Sequence, residues 1–418
     1  MTESGQKKRF FTAPLITVYA TVFLDLVGFG MVIPILPFYA NTPPFNATPF
    51  QIGLLFAVYS WMQFFFAPIL GRISDHYGRR PILLVSIIGS AFGYFLIGFA
   101  ETLLLVFLGR IIGGITGANI STAQAYIADV TSREDRAKGM GLFGAMFGLG
   151  FILGPAIAGI LSKYGIHIPF YFAAGLSLVN AAAVYFFLPE SIKKGAKPGM
   201  SAGRNRLLDL VASLRRPVVG TLNLLYFLLV TAFSIMTYAF VLFTAHRYGY
   251  NAEQNGYLFA YVGLIAIIGQ GVLFNLFADR FGEARLMAVG CLMMAVALFW
   301  MPYLGPASGG LLGLLAACAI LSIGNAMASP SLTSLVSKIS EEHEQGSALG
   351  ILQSGASLAR AIGPMIGGIL LNNAANSLDD NTITRTFWTA AAIMFVALLT
   401  SLFALRLLSE DKALEAGV

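Results

Sequence analysis

Three charged side chains stand where apolar residues flank them on both sides: Asp25 in TVFLDLVGFG, Arg110 in VFLGRIIGG and Arg360 in ASLARAIGP. A lone carboxylate and two guanidinium groups in such settings can bind a charged group or carry a proton. Nothing about them suggests bond making or breaking, and no phosphate-binding Walker loop, HExxH, GxSxG or Cys/His cluster occurs in the 418 residues. No cofactor or metal is expected, and the chain does not read as an enzyme. Cys291 and Cys318 lie in apolar runs, where a free thiol behaves as a small buried hydrophobe.

The elements that must position these charges follow from composition. Hydrophobic residues make up 57% of the chain and charged residues 11%, against roughly 25% charged in soluble domains. Mean hydropathy is +0.76. In windows of about twenty residues, the length that crosses a ~30 Å hydrocarbon layer, twelve apolar runs appear. They are Ala13 to Ala40, Gln51 to Leu70, Ile82 to Ala100, Thr102 to Val130, Lys138 to Leu161, Pro169 to Leu188, Val218 to Phe243, Gln254 to Phe277, Leu286 to Leu304, Leu311 to Val336, Ser347 to Leu371 and Arg385 to Leu408. Long continuous runs predict helices; barrel strands would be about ten residues long with alternating polarity. The expectation is an all-α polytopic membrane protein of twelve transmembrane helices in two pseudo-symmetric six-helix bundles.

Lys and Arg concentrate in alternate connections, including Arg72, Arg79, Arg80, Arg133, Arg136, Lys138 and the segment between the sixth and seventh runs. Basic residues are retained on the cytoplasmic side, so both termini are expected inside, in a bacterial inner membrane. The pI of 9.2 then reflects topology, and no nucleic-acid partner is implied. The first run is too long for a signal peptide's apolar core and reads as a retained helix.

The charged Gly/Ser-containing stretch 189–216 divides the spans six and six, giving bundles 1–188 and 217–418. GLGFILGPAIAGIL and SLARAIGPMIGGIL place Gly154-Pro155 and Gly363-Pro364 at an offset of 209 residues. LGRISDHYGRRP and FNLFADRFGEAR likewise pair Asp75 with Asp279 and Gly78 with Gly282. Repeats of this kind serve alternating access about a midplane site.

GRISDHYGRRP, Gly71 to Pro81, closely resembles the signature loop between helices two and three of the major facilitator superfamily. In that reading Gly71 and Gly78 permit a tight turn, Asp75 accepts hydrogen bonds at a helix end, and Arg79 and Arg80 secure the loop at an anionic lipid surface. The rival is an ordinary solvated basic loop. Asp129 and Arg136 resemble the family's partners for this gate latch, with Arg79 expected to pair with Asp129. LGRIIGGITGA resembles the proton-coupling motif built on Arg110; the bland reading is that Arg110 braces helix one and that the glycines are packing devices. Gly154 and Pro155 resemble the antiporter signature of drug/proton exchangers, although the echo in helix eleven suggests that part of it belongs to the duplicated fold.

FLDLVGFGMVIPILPFY, VYSWMQFFFAP, GITGA, LFTAHRYGYN and HEQG extend a resemblance to the bacterial tetracycline/proton antiporters through both halves. Those pumps place acidic residues in helices three and nine; here the third-helix position holds Gly93, Cys291 to Phe299 has no carboxylate, and Asn41 stands where they carry a basic residue. The resemblance implies a proton-coupled antiporter exporting a small amphiphilic solute or drug, working with protons and membrane lipid, as a monomer. A proton-coupled importer or facilitator of an anionic or zwitterionic solute is the alternative, and a nontransporting sensor a weaker one.

Alternating exposure of Asp25 to Arg110 and to water would load and release the proton; the rival roles for Asp25 are capping backbone groups freed by Pro34 and Pro37, or binding a substrate amine. Arg360 either neutralises an anionic substrate group or pairs with Asp25 or helix carbonyls. The three charges sum to +1, which favours neutral, zwitterionic or anionic cargo. From the family's cavity-lining helices one, four, seven and ten come the substrate contacts Asn119, Gln124, Asn223, Tyr226, Tyr238 and Asn325, with Gln63 and Gln353 nearby.

Overall fold

A computed structural model describes residues 12–132, 135–192, 217–340 and 345–415. Twelve helices are long and apolar enough to cross a membrane: α1 (Ala13–Asn41), α2 (Pro49–Tyr77), α3 (Arg79–Gly98), α4 (Leu103–Val130), α5 (Arg136–Ser162), α6 (Ile168–Phe187), α7 (Pro217–Tyr248), α8 (Ala252–Phe281), α9 (Glu283–Tyr303), α10 (Gly310–Ile339), α11 (Gln345–Leu371) and α12 (Asp380–Glu415). Among the described residues the architecture is the all-α, twelve-span one expected. Most of the 189–216 linker lies outside them.

α2 runs to Tyr77, seven residues beyond the expected end, and α8 runs to Phe281. The signature segment is therefore helix almost throughout, and a single residue makes each turn: Gly78 at φ +106° and Gly282 at φ +81°. Such backbone is strained for any residue with a Cβ. Gly71 sits inside α2 facing open space and makes no turn.

Because the helices alternate in direction, α2 and α8 begin, and α5 and α11 finish, at the end remote from the termini. The halves meet there. α5 packs on α8 and α11 on α2, and the contacts are between backbones. A Cβ at Gly53 would lie 2.5 Å from the Pro364 oxygen and 3.0 Å from the Gly368 Cα; one at Gly256 would lie 2.7 Å from both the Pro155 oxygen and the Gly159 Cα. The two seams are symmetry mates, since FQIGLLFA and EQNGYLFA align Gly53 with Gly256, and the offset of 209 aligns Gly159 with Gly368. Each of α2 and α8 starts in a capping box, Thr48 with Gln51 and Asn251 with Gln254. Lys163 Nζ to Glu253 Oε1 at 2.8 Å and the Tyr238 hydroxyl donated to the Pro49 oxygen also join the halves at this end.

At the terminus-bearing end the same helices carry glycines that meet no neighbour within 4 Å: Gly141, Gly144 and Gly148 of α5, Gly271 of α8, and Gly350 and Gly355 of α11. Both α2 and α8 are interrupted on the way there. Pro68 lies within α2, and α8 contains a π turn at Gly269–Leu273. The Asp75–Asp279 correspondence puts these two interruptions at equivalent depths.

Candidate functional site

α1 and α7 are the most enclosed spans, each buried over 67% of its apolar window, and the charges sit on and around them. Asp25 projects from α1 between α4 and α6. Asn119 Nδ2 donates to its Oδ2 at 2.7 Å, and Asn180 Nδ2 donates to its Oδ1 at 3.2 Å and to the Thr21 carbonyl at 3.3 Å. Asn119 is held on a 3₁₀ turn, Gly117–Asn119, that breaks α4, and the Gly117 carbonyl accepts from Gln63 Nε2 at 3.0 Å.

Arg110 is buried but does not pair with Asp25. Its Nε donates to the Leu55 carbonyl of α2 at 3.0 Å, and its guanidinium lies 4.3 Å from the Tyr59 ring centroid and 5.9 Å from that of Phe56. The following glycines explain the arrangement. A Cβ at Gly114 would strike the Tyr59 backbone, one at Gly117 the Tyr59 hydroxyl, and Gly113 lines the same ring. The motif is thus a groove in α4 that receives Tyr59, with Arg110 stacked on the ring as a cation–π partner. In this arrangement the polar and π contacts of Arg110 among the described residues are with α2, to Leu55, Phe56 and Tyr59, rather than with α1.

Arg360 pairs with neither Asp25 nor helix carbonyls. Its NH2 donates to Ser357 Oγ of its own helix at 3.1 Å, and no carboxylate bonds it among the described residues. It lies within electrostatic reach of Tyr226 of α7 and Tyr59 of α2, near the boundary between the halves.

Of the other expected contacts, Gln124, Tyr226 and Asn325 are half-buried and Gln353 is exposed. Asn223 is buried and donates to the Val219 carbonyl of its own helix. Tyr238 is fully buried in the α2–α11 seam region, against Pro49 and Phe56. Both side chains are buried and donate to backbone carbonyls. Asn180, Thr21, Tyr59 and Tyr94 were not anticipated. The signal for Asn180 was a lone amide in SLVNAAAVYFF, on a helix outside the cavity-lining set.

The latch is tightly built. Arg79 is 8% exposed; its NH1 meets Asp75 Oδ1 at 2.5 Å and Ser74 Oγ at 2.6 Å, and its Nε donates to Asp129 Oδ2 at 3.2 Å. Arg80 NH2 donates to the Tyr185 carbonyl at 2.5 Å beneath the Tyr185 ring. Arg79 is committed to protein partners, correcting the lipid-anchoring expectation for that residue, while Arg80 is half-buried against the exposed Tyr185. Glu190, just past α6, accepts from the Arg79 and Arg80 amides at 2.8 and 3.2 Å, capping α3, while Ser191 Oγ donates to Asp129 at 2.9 Å. Arg136 opens α5, with its side chain outside the described set; Asp279 is exposed at the end of α8.

Gly154 packs on Val27 and Gly30 of α1, and its repeat mate Gly363 packs on Thr231, Ser234 and Ile235 of α7. The Gly-Pro motif thus serves the same close helix crossing in each half. Gly93 has no space for a side chain, since a Cβ would lie 3.0 Å from the Gly109 oxygen and 3.2 Å from the Gly113 nitrogen. A carboxylate there would have to displace α4.

The Major Facilitator Superfamily profile matches residues 18–345 and 271–417. The chain belongs to this superfamily. It is 32% identical over 355 residues to the class B tetracycline resistance protein of Escherichia coli, covering 84% of this chain and 86% of that one. It is 27% identical to multidrug resistance protein 2 of Bacillus subtilis, covering 92% and 93%. Among solved structures, the human organic anion transporter MFSD10 (TETRAN) superposes with a TM-score of 0.69 at 25% identity, covering 93% of this chain and 99% of that one. As a major facilitator the protein is a multi-pass membrane transporter and not an enzyme, and its resemblance is to drug-efflux members.

Proposed function

We propose that the protein is a proton-coupled antiporter that exports a small amphiphilic solute from the cytoplasm by alternating access. With the termini cytoplasmic, as the basic connections favour, the structure is inward-open, with the two glycine seams closed toward the outside. The observation that carries the coupling assignment is Asp25. It is an acid deep within an apolar helix, fixed by two amides from two other helices, and a charge held at that depth demands a purpose. Its protonation would remove the acceptor charge that holds α4 and α6 to α1, linking proton occupancy to helix packing. Moving one charge across about 100 mV supplies about 2.3 kcal/mol, enough for a roughly fifty-fold solute gradient.

The cargo engages the space between Tyr59, Tyr226 and Arg360. Among the described residues Arg360 bonds Ser357 and no carboxylate, so a solute with a negative group would meet a guanidinium whose charge is not balanced by an acid. The organic anion named for MFSD10 agrees with that chemistry. Importer or facilitator action on an anionic or zwitterionic solute is the second reading, and Arg360 is what favours it.

Proteoliposomes with an imposed pH gradient test the proposal. Wild-type protein is expected to move solute uphill against proton flow, and Asp25→Asn to permit only downhill exchange. Uphill transport that survives Asp25→Asn would refute the assignment, and solute movement in the same direction as protons would replace export with import.

A further inference from the structure

On the three helices that meet at Asp25 stand buried oxygens that no part of the transport reading uses. Thr21 Oγ1, one turn before Asp25 on α1, has no hydrogen-bond partner; neither has Thr122 Oγ1, one turn beyond Asn119 on α4, nor Asn180 Oδ1 on α6. The side chains carrying them are 1%, 0% and 1% exposed. Asn180 Nδ2 is already committed to the Asp25 carboxylate and the Thr21 carbonyl, so its orphan oxygen belongs to the same cluster.

Native proteins rarely leave buried polar atoms unpaired, and each instance calls for an explanation. Protonation of Asp25 accounts for one orphan at most, since a carboxyl group donates a single hydrogen bond. The set as a whole is two hydroxyls, one amide carbonyl and a carboxylate, which still has acceptor capacity beyond the two amides it holds. Hard cations take oxygen ligands of this kind. The charge selects the valence. One carboxylate balances one positive charge, and among the described residues no second acid faces the group: the titratable neighbours from other helices are Tyr59 of α2 and Tyr94 of α3, and Arg110 lies against the Tyr59 ring. A divalent ion would bring an uncompensated charge into the bundle interior, which is costly.

We propose that the oxygens of Thr21, Asp25, Thr122 and Asn180 form a binding site for an alkali cation, with Na⁺ as its probe, that competes with the proton for Asp25. The site rests on the reading of Asp25 as the coupling carboxylate. It gives the transporter a second ion able to occupy that carboxylate without a change in net charge.

The test is equilibrium binding of radioactive Na⁺ to the purified full-length protein in detergent, at alkaline and acidic pH, with thermal stability recorded for every variant. Wild type is expected to bind Na⁺ saturably at alkaline pH and to lose it on acidification. Asp25→Asn should abolish binding. Thr122→Val and Thr21→Val, which keep side-chain shape, should each weaken it by about tenfold or more, the scale of loss at perturbed ion sites. Absence of saturable Na⁺ binding, or binding untouched by both threonine variants when they are folded, overturns the site. Proton exchange on solute addition in Na⁺-free buffer separates the two assignments. If it requires Asp25 while Na⁺ does not bind, the coupling reading stands and the cation site falls. If Na⁺ binds through Asp25 while proton exchange survives Asp25→Asn, the site stands and the coupling reading falls.

Discussion

Adding a single methyl group to either glycine seam should push the transporter toward its outward-open state. At Gly256 the new Cβ would lie 2.7 Å from the Pro155 oxygen and from the Gly159 Cα. Restoring ordinary contact of about 3.5 Å requires the helices to separate by roughly 0.8 Å. The neighbours are backbone atoms, which cannot swing aside. Overpacking of this kind costs about 1 to 3 kcal/mol, and it is incurred only when the seam is closed. The gain in helix propensity from Gly to Ala, up to about 1 kcal/mol, is common to both states and cancels. With about 1.4 kcal/mol per tenfold, Gly256→Ala should raise the outward-open to inward-open ratio by roughly 5- to 150-fold. Gly53→Ala, its symmetry mate, should act in the same direction. Spin labels at Tyr164 and Ala374, exposed outside the α5 and α11 ends, would report the change by double electron–electron resonance as a longer inter-half distance. The native Cys291 and Cys318 are buried and contribute little background. An unchanged distance distribution in both folded variants would refute the argument that backbone-to-backbone contact holds the outer side shut.

The ion pair Lys163–Glu253 crosses the same seam, and the Glu253 carboxylate raises the Lys163 pKa through their hydrogen bond. A raised lysine pKa means that the contribution is complete at neutral pH and fades only as pH climbs through that value, so alkaline conditions should favour opening. Lys163→Glu should shift the same label distance outward, and the exchange Lys163→Glu with Glu253→Lys should reverse it. Gly78→Ala places a Cβ at φ +106° against the Glu190 carboxylate; a loss of about 1 to 3 kcal/mol should appear as a lower melting temperature, partly relieved by Glu190→Ala. Arg360→Ala should weaken anionic and zwitterionic solutes more than neutral ones in a thermal-shift panel, and equal loss across charge classes would give Arg360 a structural role.

The twelve spans were legible because bilayer thickness imposes a length that composition must satisfy, and terminal errors were of a few residues at most helices. At α2, whose end was missed by seven residues, and at α8, missed by four, the cause is clear. Gly71, Asp75 and the basic residues look like a loop when hydropathy is the guide, whereas Asp75–Arg79 ion pairing and one positive-φ glycine allow helix up to the turn itself. The pairing of Arg79 with Asp129 was anticipated from motif resemblance. The clamp by Glu190 and Ser191 was not, since nothing in LPES announces that it folds back onto α3. The site itself was half legible. Charges in apolar runs identified Asp25, Arg110 and Arg360, but their partners were hidden, because a guanidinium is satisfied as well by a carbonyl and a ring as by an acid. Asn180 and the threonines are common helix residues, and only their unpaired buried oxygens on the three helices that meet at Asp25 distinguish them.

The central claim is that Asp25 carries the proton that solute binding displaces. The direct measurement is proton release from the purified, weakly buffered protein on addition of a transported solute, followed with a pH-sensitive dye. Wild type should release protons in proportion to bound solute, and Asp25→Asn should bind solute with no release. Equal release from the folded Asp25→Asn variant would place the coupling proton elsewhere and contradict the account.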